Sequence, residues 1–189
     1  MSRFRVRGAW LGVASIALAT AICASPGIAA GRRGDQPRDV DVTAALLFNF
    51  ARFTEWPALS PAAPIAICVV GDDRIAGAVV GAVREQNING HKLDVSRRQD
   101  SATWRACNML FIADAETRRS ARGLDGLKTL PVLTVSDGKG FAEAGGIIEL
   151  YVEGGRMRFA INRDAAEQSG LRLSSRLLGL AKIIRNGQQ

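Results

Sequence analysis

The sequence predicts an α/β fold: a single three-layer domain with a mixed, mostly parallel sheet, a C-terminal antiparallel hairpin and flanking helices. Three observations point there. Residues 65–71 (IAICVVG), 107–113 (CNMLFIA) and 131–136 (PVLTVS) are short apolar runs bounded by Gly, Pro, Ala or Asp, the pattern of strands covered on both faces. Helical patterns separate these runs, so the connections are crossovers and the pairs parallel. Further on, two β-rich runs flank Glu153-Gly154-Gly155-Arg156, the signature of a hairpin that adds antiparallel strands.

Residues 1–30 read as a secretory signal peptide. Arg3, Arg5 and Arg7 form a basic start, residues 9–24 carry no charge, and small residues follow at Ala24, Ala29 and Ala30. A retained anchor is the rival reading, but the apolar run falls short of the ~20 residues a spanning helix needs. A lipoprotein site at Cys23 would follow Ile22, not the small residue such sites prefer. Export places the chain in an oxidising compartment, for which the bacterial periplasm is the expectation. Cys23 is lost on cleavage, and a disulfide between the two remaining cysteines, Cys68 and Cys107, becomes the default. The cleaved segment holds three arginines and no acid, so the net charge falls from +7 to +4. That modest charge, with no basic run interleaved with aromatics, argues against nucleic acid as a partner. Residues 31–38 (GRRGDQPR) are polar and read as a disordered leader, and the α/β domain is expected over 39–186.

The domain opens with a helix over 40–53. Val40, Ala44, Leu47, Phe48 and Ala51 share one face, Asp39 or Asp41 caps the start, and Pro57 ends it by holding Trp56 extended. Phe50, Phe53 and Trp56 read as core or as a docking surface. After the first strand, 72–86 is a helix with Ile75, Ala76, Val79, Val80 and Val83 on one side. Asp72 or Asp73 caps it, and two carboxylates at that point repel a phosphate. Residues 87–90 (NING) turn into a half-buried edge strand over 91–96, with Leu93 and Val95 inward. His91, the single histidine, reads as solvated beside that turn. A short turn or helix over 101–106 holds Trp104, and Cys107 opens the second buried strand. Residues 114–127 are helical, broken by Gly123 and Gly126. A loop over 136–140, one turn over 141–144 and Gly145-Gly146 lead to the hairpin strands 147–152 and 157–161. Asn162 caps a short helix over 163–169, closed by Gly170. Ser174 or Ser175 starts a last helix that buries Leu177, Leu178, Ala181 and Ile184 and turns Arg176, Lys182 and Arg185 to water.

Catalytic chemistry is hard to place on this chain. No Cys/His/Asp/Glu group has metal-ligand spacing, so no cofactor or metal is expected. Ser136 beside Asp137 and Lys139 is the best nucleophile candidate, and it reads better as a turn. The expectation is a non-enzyme.

Seven stretches, in order, carry a family resemblance. They are LFNFARFTEWP (47–57), ICVVGD (67–72), CNMLFI (107–112), VLTVSD (132–137), Phe141 with Gly145-Gly146-Ile147-Ile148, RFAIN (158–162) and GLRLSSRLL (170–178). Together they resemble the YfiR family of periplasmic proteins, from about Val40 to Ile184. The resemblance implies a periplasmic repressor that binds the periplasmic domain of an inner-membrane diguanylate cyclase and holds it inactive. An outer-membrane lipoprotein that sequesters the repressor would release cyclic di-GMP synthesis and biofilm formation. It also implies a homodimer, and Cys68 and Cys107 match the family's stabilising disulfide in position. Some relatives carry a second cysteine pair near the Gly-Gly segment. This chain has Ala and Glu there, so a redox switch built on that pair loses its basis.

On this reading the protein acts by association. The partner surface is expected on the hairpin and the two terminal helices, with Trp56, Tyr151, Arg156, Arg158, Arg172 and Arg176 as candidate contacts. The alternative is a periplasmic small-molecule binding or transport-accessory module, which predicts an apolar pocket with a few polar groups.

Overall fold

A computed structural model describes residues 37–185. The expected signal peptide and nearly all of the expected leader lie outside the described residues. The first helix, α1 (Pro37–Arg52), starts inside the expected leader. Pro37 is its first residue, where a missing N–H costs nothing, and Asp39 sits in the first turn, where a carboxylate complements the helix dipole.

The chain then runs through β1 (Thr54–Glu55), β2 (Ile65–Val70), α2 (Asp73–Val83), β3 (Asn87–Ile88) and β4 (His91–Arg97). A 3-10 helix (Ser101–Ala106) leads to β5 (Met109–Ile112), α3 (Asp114–Asp125) and β6 (Leu133–Ser136). The last part holds β7 (Ile148–Glu153), β8 (Arg156–Asn162), α4 (Arg163–Gln168), β9 (Arg172–Leu173), α5 (Ser175–Leu178) and β10 (Lys182–Ile184).

Eight strands form one sheet in the order β10-β8-β7-β6-β5-β2-β4-β3. Strands β4, β2, β5, β6 and β7 run parallel. β8 is antiparallel to β7, β10 parallel to β8, and β3 antiparallel to β4. The expected mixed, mostly parallel sheet with flanking helices is what forms. A separate pair joins β1 to β9, with Thr54 opposite Leu173 and Glu55 opposite Arg172.

Alternate side chains of the sheet feed two cores. Ile65, Ile67 and Val69 of β2 pack with Leu47 and Phe50 of α1 and with Ile75 and Val79 of α2. Cys68 and Val70 face the other way, with Leu110, Ile112, Trp104, Leu127 and Val132. The central strands are therefore apolar on both sides, as parallel strands covered by two helical layers require.

Several expectations change. Val80 of α2 is 45% exposed, so it lies outside the apolar stripe that Ile75, Ala76, Val79 and Val83 make. Cys107 does not open β5 but follows the 3-10 helix, whose last turn its N–H closes onto Trp104 O. Gly123 does not break α3. A Cβ there would stand 2.6 Å from Trp104 Cζ3, so glycine serves a close approach of helix to indole. The last helix is a single turn. Gly179 follows it, Leu180 is 71% exposed, and residues 182–184 join the sheet as β10. The spacing of Leu177, Leu178, Ala181 and Ile184 fits a helix, but the β-branched pair Ile183-Ile184 completes the ladder beside β8 instead.

Candidate functional site

The hairpin β7–β8 is built by its turn. Gly154 and Gly155 take φ +57° and +73°, the left-handed pair of a type I′ turn whose twist matches the strands. The turn sets the register: Glu153 faces Arg156, Tyr151 faces Arg158, and Glu149 faces Ala160. Ile148, Leu150, Phe159 and Ile161 then point into the larger core, where the Phe159 ring meets Phe50 edge-on at 5.0 Å. The alternate set, Tyr151, Glu153, Arg156 and Arg158, points to the opposite face. Ser136 pairs with Glu149 and Lys182 with Ala160, so this is the face that carries the disulfide further along the sheet.

Coverage of that face is uneven. Cys68, Val70, Leu110 and Ile112 lie beneath Trp104, Leu124 and Leu127. At β7, β8 and β10 an open cleft of about 470 Å³ runs along Asp137, Lys139, Glu143, Tyr151, Ala160 and Lys182. Tyr151 is half-buried, and Glu153, Arg156, Arg158 and Lys182 are exposed.

The rim of the cleft is fixed by Glu149. The residue is 8% exposed, and its carboxylate accepts the N–H of Gly140 and of Ala142, each at 3.1 Å. Asn162 holds the same loop, donating from Nδ2 to Ala142 O (2.7 Å) while its Oδ1 caps α4 at Ala165 N (2.9 Å). Nothing local in the sequence marks Glu149 for this role beyond its being an acid within an otherwise apolar run, 147–150. Asp137 accepts the N–H of Asp114 at 2.7 Å and so caps α3 from another segment. Desolvation of its carboxyl, with the Asp114 and Asp72 charges nearby, pushes its pKa above the usual value against the pull of that hydrogen bond.

The six candidate contacts fall in three places. Tyr151, Arg156 and Arg158 share the hairpin face. Arg172 and Arg176 belong to the segment beside β1. Arg172 pairs opposite Glu55, and the guanidinium carbon of Arg176, like that of Arg52, lies 5.9 Å from the centre of the Phe53 ring. Trp56 is 8% exposed, packs in the larger core, and donates from Nε1 to Asn108 O at 3.0 Å. Of the two readings the sequence left open for Trp56, this placement is that of a core anchor. Of the two terminal helices, α1 is 16 residues long and α5 is a single turn of four.

Cys68 and Cys107 are joined, with Cα atoms 5.9 Å apart and both residues nearly inaccessible. Ser136 is fully buried. Its Oγ accepts Gly138 N–H at 2.9 Å and meets Thr117 Oγ1 at 3.1 Å, which is turn chemistry and not a nucleophile beside a base. His91 Nδ1 lies 2.7 Å from Ala63 O, a bond that ties the start of β4 to the turn ahead of β2. Among the described residues no group of three or more His, Cys, Asp or Glu could hold a metal ion, and no helix is long and apolar enough to cross a membrane.

Comparison with known proteins adds two findings. Among solved structures, a conserved domain protein from Vibrio cholerae O1 biovar El Tor str. N16961 is 15% identical, with a TM-score of 0.45. The alignment covers 76% of this chain and 59% of that one, and at this similarity it has no bearing on function. The YfiR/HmsC-like family pattern matches residues 40–182, which takes in α1 and ends in β10. On that match, which spans well over half of its length, the chain belongs to the YfiR/HmsC-like family.

Proposed function

We propose that this protein is an exported, periplasmic regulator that represses an inner-membrane diguanylate cyclase by binding its periplasmic domain. Family membership over residues 40–182 is the observation that carries the reading. Repression acts by association, not by chemistry. The open hairpin face supplies the contact, with Tyr151, Arg156 and Arg158 displayed side by side on a rigid two-stranded support. An exposed Arg pair beside Lys182 suits an acidic patch on the partner. Sequestration by an outer-membrane lipoprotein relieves repression, and the regulator works as a homodimer. Arg172 and Arg176, on the segment beside β1, form a second candidate contact.

The experiment combines deletion with recovery of partners. Deleting the gene raises cyclic di-GMP and biofilm mass, and the wild-type chain restores both. Arg158→Glu weakens recovery of the cyclase from solubilised membranes by about tenfold or more and leaves cyclic di-GMP high. Unchanged cyclic di-GMP in the deletion strain, or recovery of no diguanylate cyclase by the wild-type chain, removes the reading.

A further inference from the structure

A second hollow lies on the disulfide side of the sheet, away from the hairpin strands. Its volume is about 310 Å³, and α3, the loop over 138–147 and α4 enclose it. Leu124, Leu127, Phe141, Ile147 and Ala165 give it an apolar lining. It sits at the lower end of the ~300–1,000 Å³ range of small-molecule sites.

Two glycines shape it. A Cβ at Gly146 would stand 2.1 Å from Phe141 Cε1, so only glycine lets that ring lie flat against the backbone as a wall. Gly145 takes φ +100°, a conformation that favours glycine, and so turns the loop beside Lys128 at the mouth. The loop is not free to collapse inward, because Glu149 and Asn162 hold Gly140 and Ala142 from the other side.

The polar groups of the hollow include Thr117, Thr134, Gln168 and Ser169, one acid, Asp125, and three cations. Arg118, Lys128 and Lys139 line its exposed side. Lys128 is paired with Asp125 at 2.7 Å, whereas Arg118 and Lys139 form no ion pair among the described residues. Thr134 is buried in the lining. Its oxygen accepts the N–H of Ile147 at 3.0 Å, and no described residue accepts its own O–H. Two unpaired cations and an unspent hydroxyl proton above an apolar floor favour an occupant with a negative head and an apolar body.

We propose that this hollow between α3 and the 138–147 loop is a binding site for a small amphipathic carboxylate, its body on Phe141, Leu124 and Ile147 and its head toward Arg118 and Lys139. The site does not depend on the cyclase reading, and either can fail alone.

The test uses the mature, oxidised protein and three probes of one shape: 3-phenylpropionate, 3-phenylpropan-1-ol and 3-phenylpropylamine. Binding is followed by calorimetry and by amide NMR shifts. The carboxylate is expected to shift Gly140, Gly145, Gly146, Ile147 and Gln168, and to bind at least about tenfold tighter than the alcohol or the amine. The exposed double variant Arg118→Gln, Lys139→Gln is expected to remove that advantage and leave the alcohol unchanged. Ala121→Phe, at the mouth, is expected to block both. No shift at these amides at about 10 mM carboxylate, shifts confined elsewhere, or equal binding of all three probes overturns the proposal.

Discussion

Glu149, a largely buried residue, accepts two backbone N–H groups through its carboxylate. A buried donor left without its partner costs about 1–3 kcal/mol. Glu149→Ala orphans the N–H of Gly140 and of Ala142 together and is expected to lower stability by about 2–4 kcal/mol in urea unfolding. Glu149→Gln, which keeps one oxygen acceptor, should cost less. Asp137 behaves in the opposite sense. Its folded pKa lies above the unfolded value, so the folded protein holds this proton more tightly. Stability is therefore lost as pH rises from the ordinary Asp value of 3.8 through the raised one, by an amount that the residue's exposure to solvent keeps small. Asp137→Asn keeps an oxygen for Asp114 N–H and sheds the charge. It should unfold at higher urea than wild type at pH 7, with the gain vanishing below the ordinary Asp range. Such roles are poorly legible in a sequence, because each rests on a partner the chain brings from elsewhere. Trp56 left core and docking readings open for the same reason: its acceptor is the Asn108 carbonyl, 52 residues on.

Among the elements, those with strong local signals are readable and those made by pairing are not. β2, β5 and β6 announce themselves as apolar runs, and Asp72 caps α2 as its position suggests, accepting from Arg74 N–H at 2.8 Å. β1 and β9 are two residues each and exist only because Thr54 and Glu55 meet Leu173 and Arg172. β10 carries a helical spacing that its place beside β8 overrides. The β7–β8 turn is the clearest local device, since no atom lies within 4 Å of a Cβ built on Gly155 and only its φ of +73° demands glycine. Gly155→Val is expected to cost about 1–2 kcal/mol by denaturant midpoint, from the left-handed conformation alone. Gly155→Asn, which tolerates that region, should cost less.

For the whole molecule, the disulfide sets the terms. It ties β2 to the segment ahead of β5 across 39 residues that include α2, β3 and β4. Chain-entropy reasoning gives it about 4 kcal/mol, against a total of about 5–15 kcal/mol for a domain. Its burial beneath Trp104 and Leu127 marks it as structural, because a sensor bond should be open to thiols. The Cys68→Ala, Cys107→Ala variant should fold with a stability lower by up to that amount. In the folded wild type, reduction by glutathione should be slow until the domain opens. This arrangement, two adjoining buried strands and one sulfur link, was readable from composition and order. The uneven cover of the sheet was not, because which strands a helix shields depends on crossover geometry and on a loop anchored by Glu149 and Asn162.

The central claim is that this family member acts through the bare hairpin face on a membrane cyclase. Its most direct test is a photo-crosslinking amino acid placed at Tyr151 in living cells, with Val42 on α1 as the exposed control. The account predicts an adduct from position 151, absent from position 42, that contains a diguanylate cyclase. Adducts of equal yield from both positions, or none containing a cyclase from position 151, would contradict it.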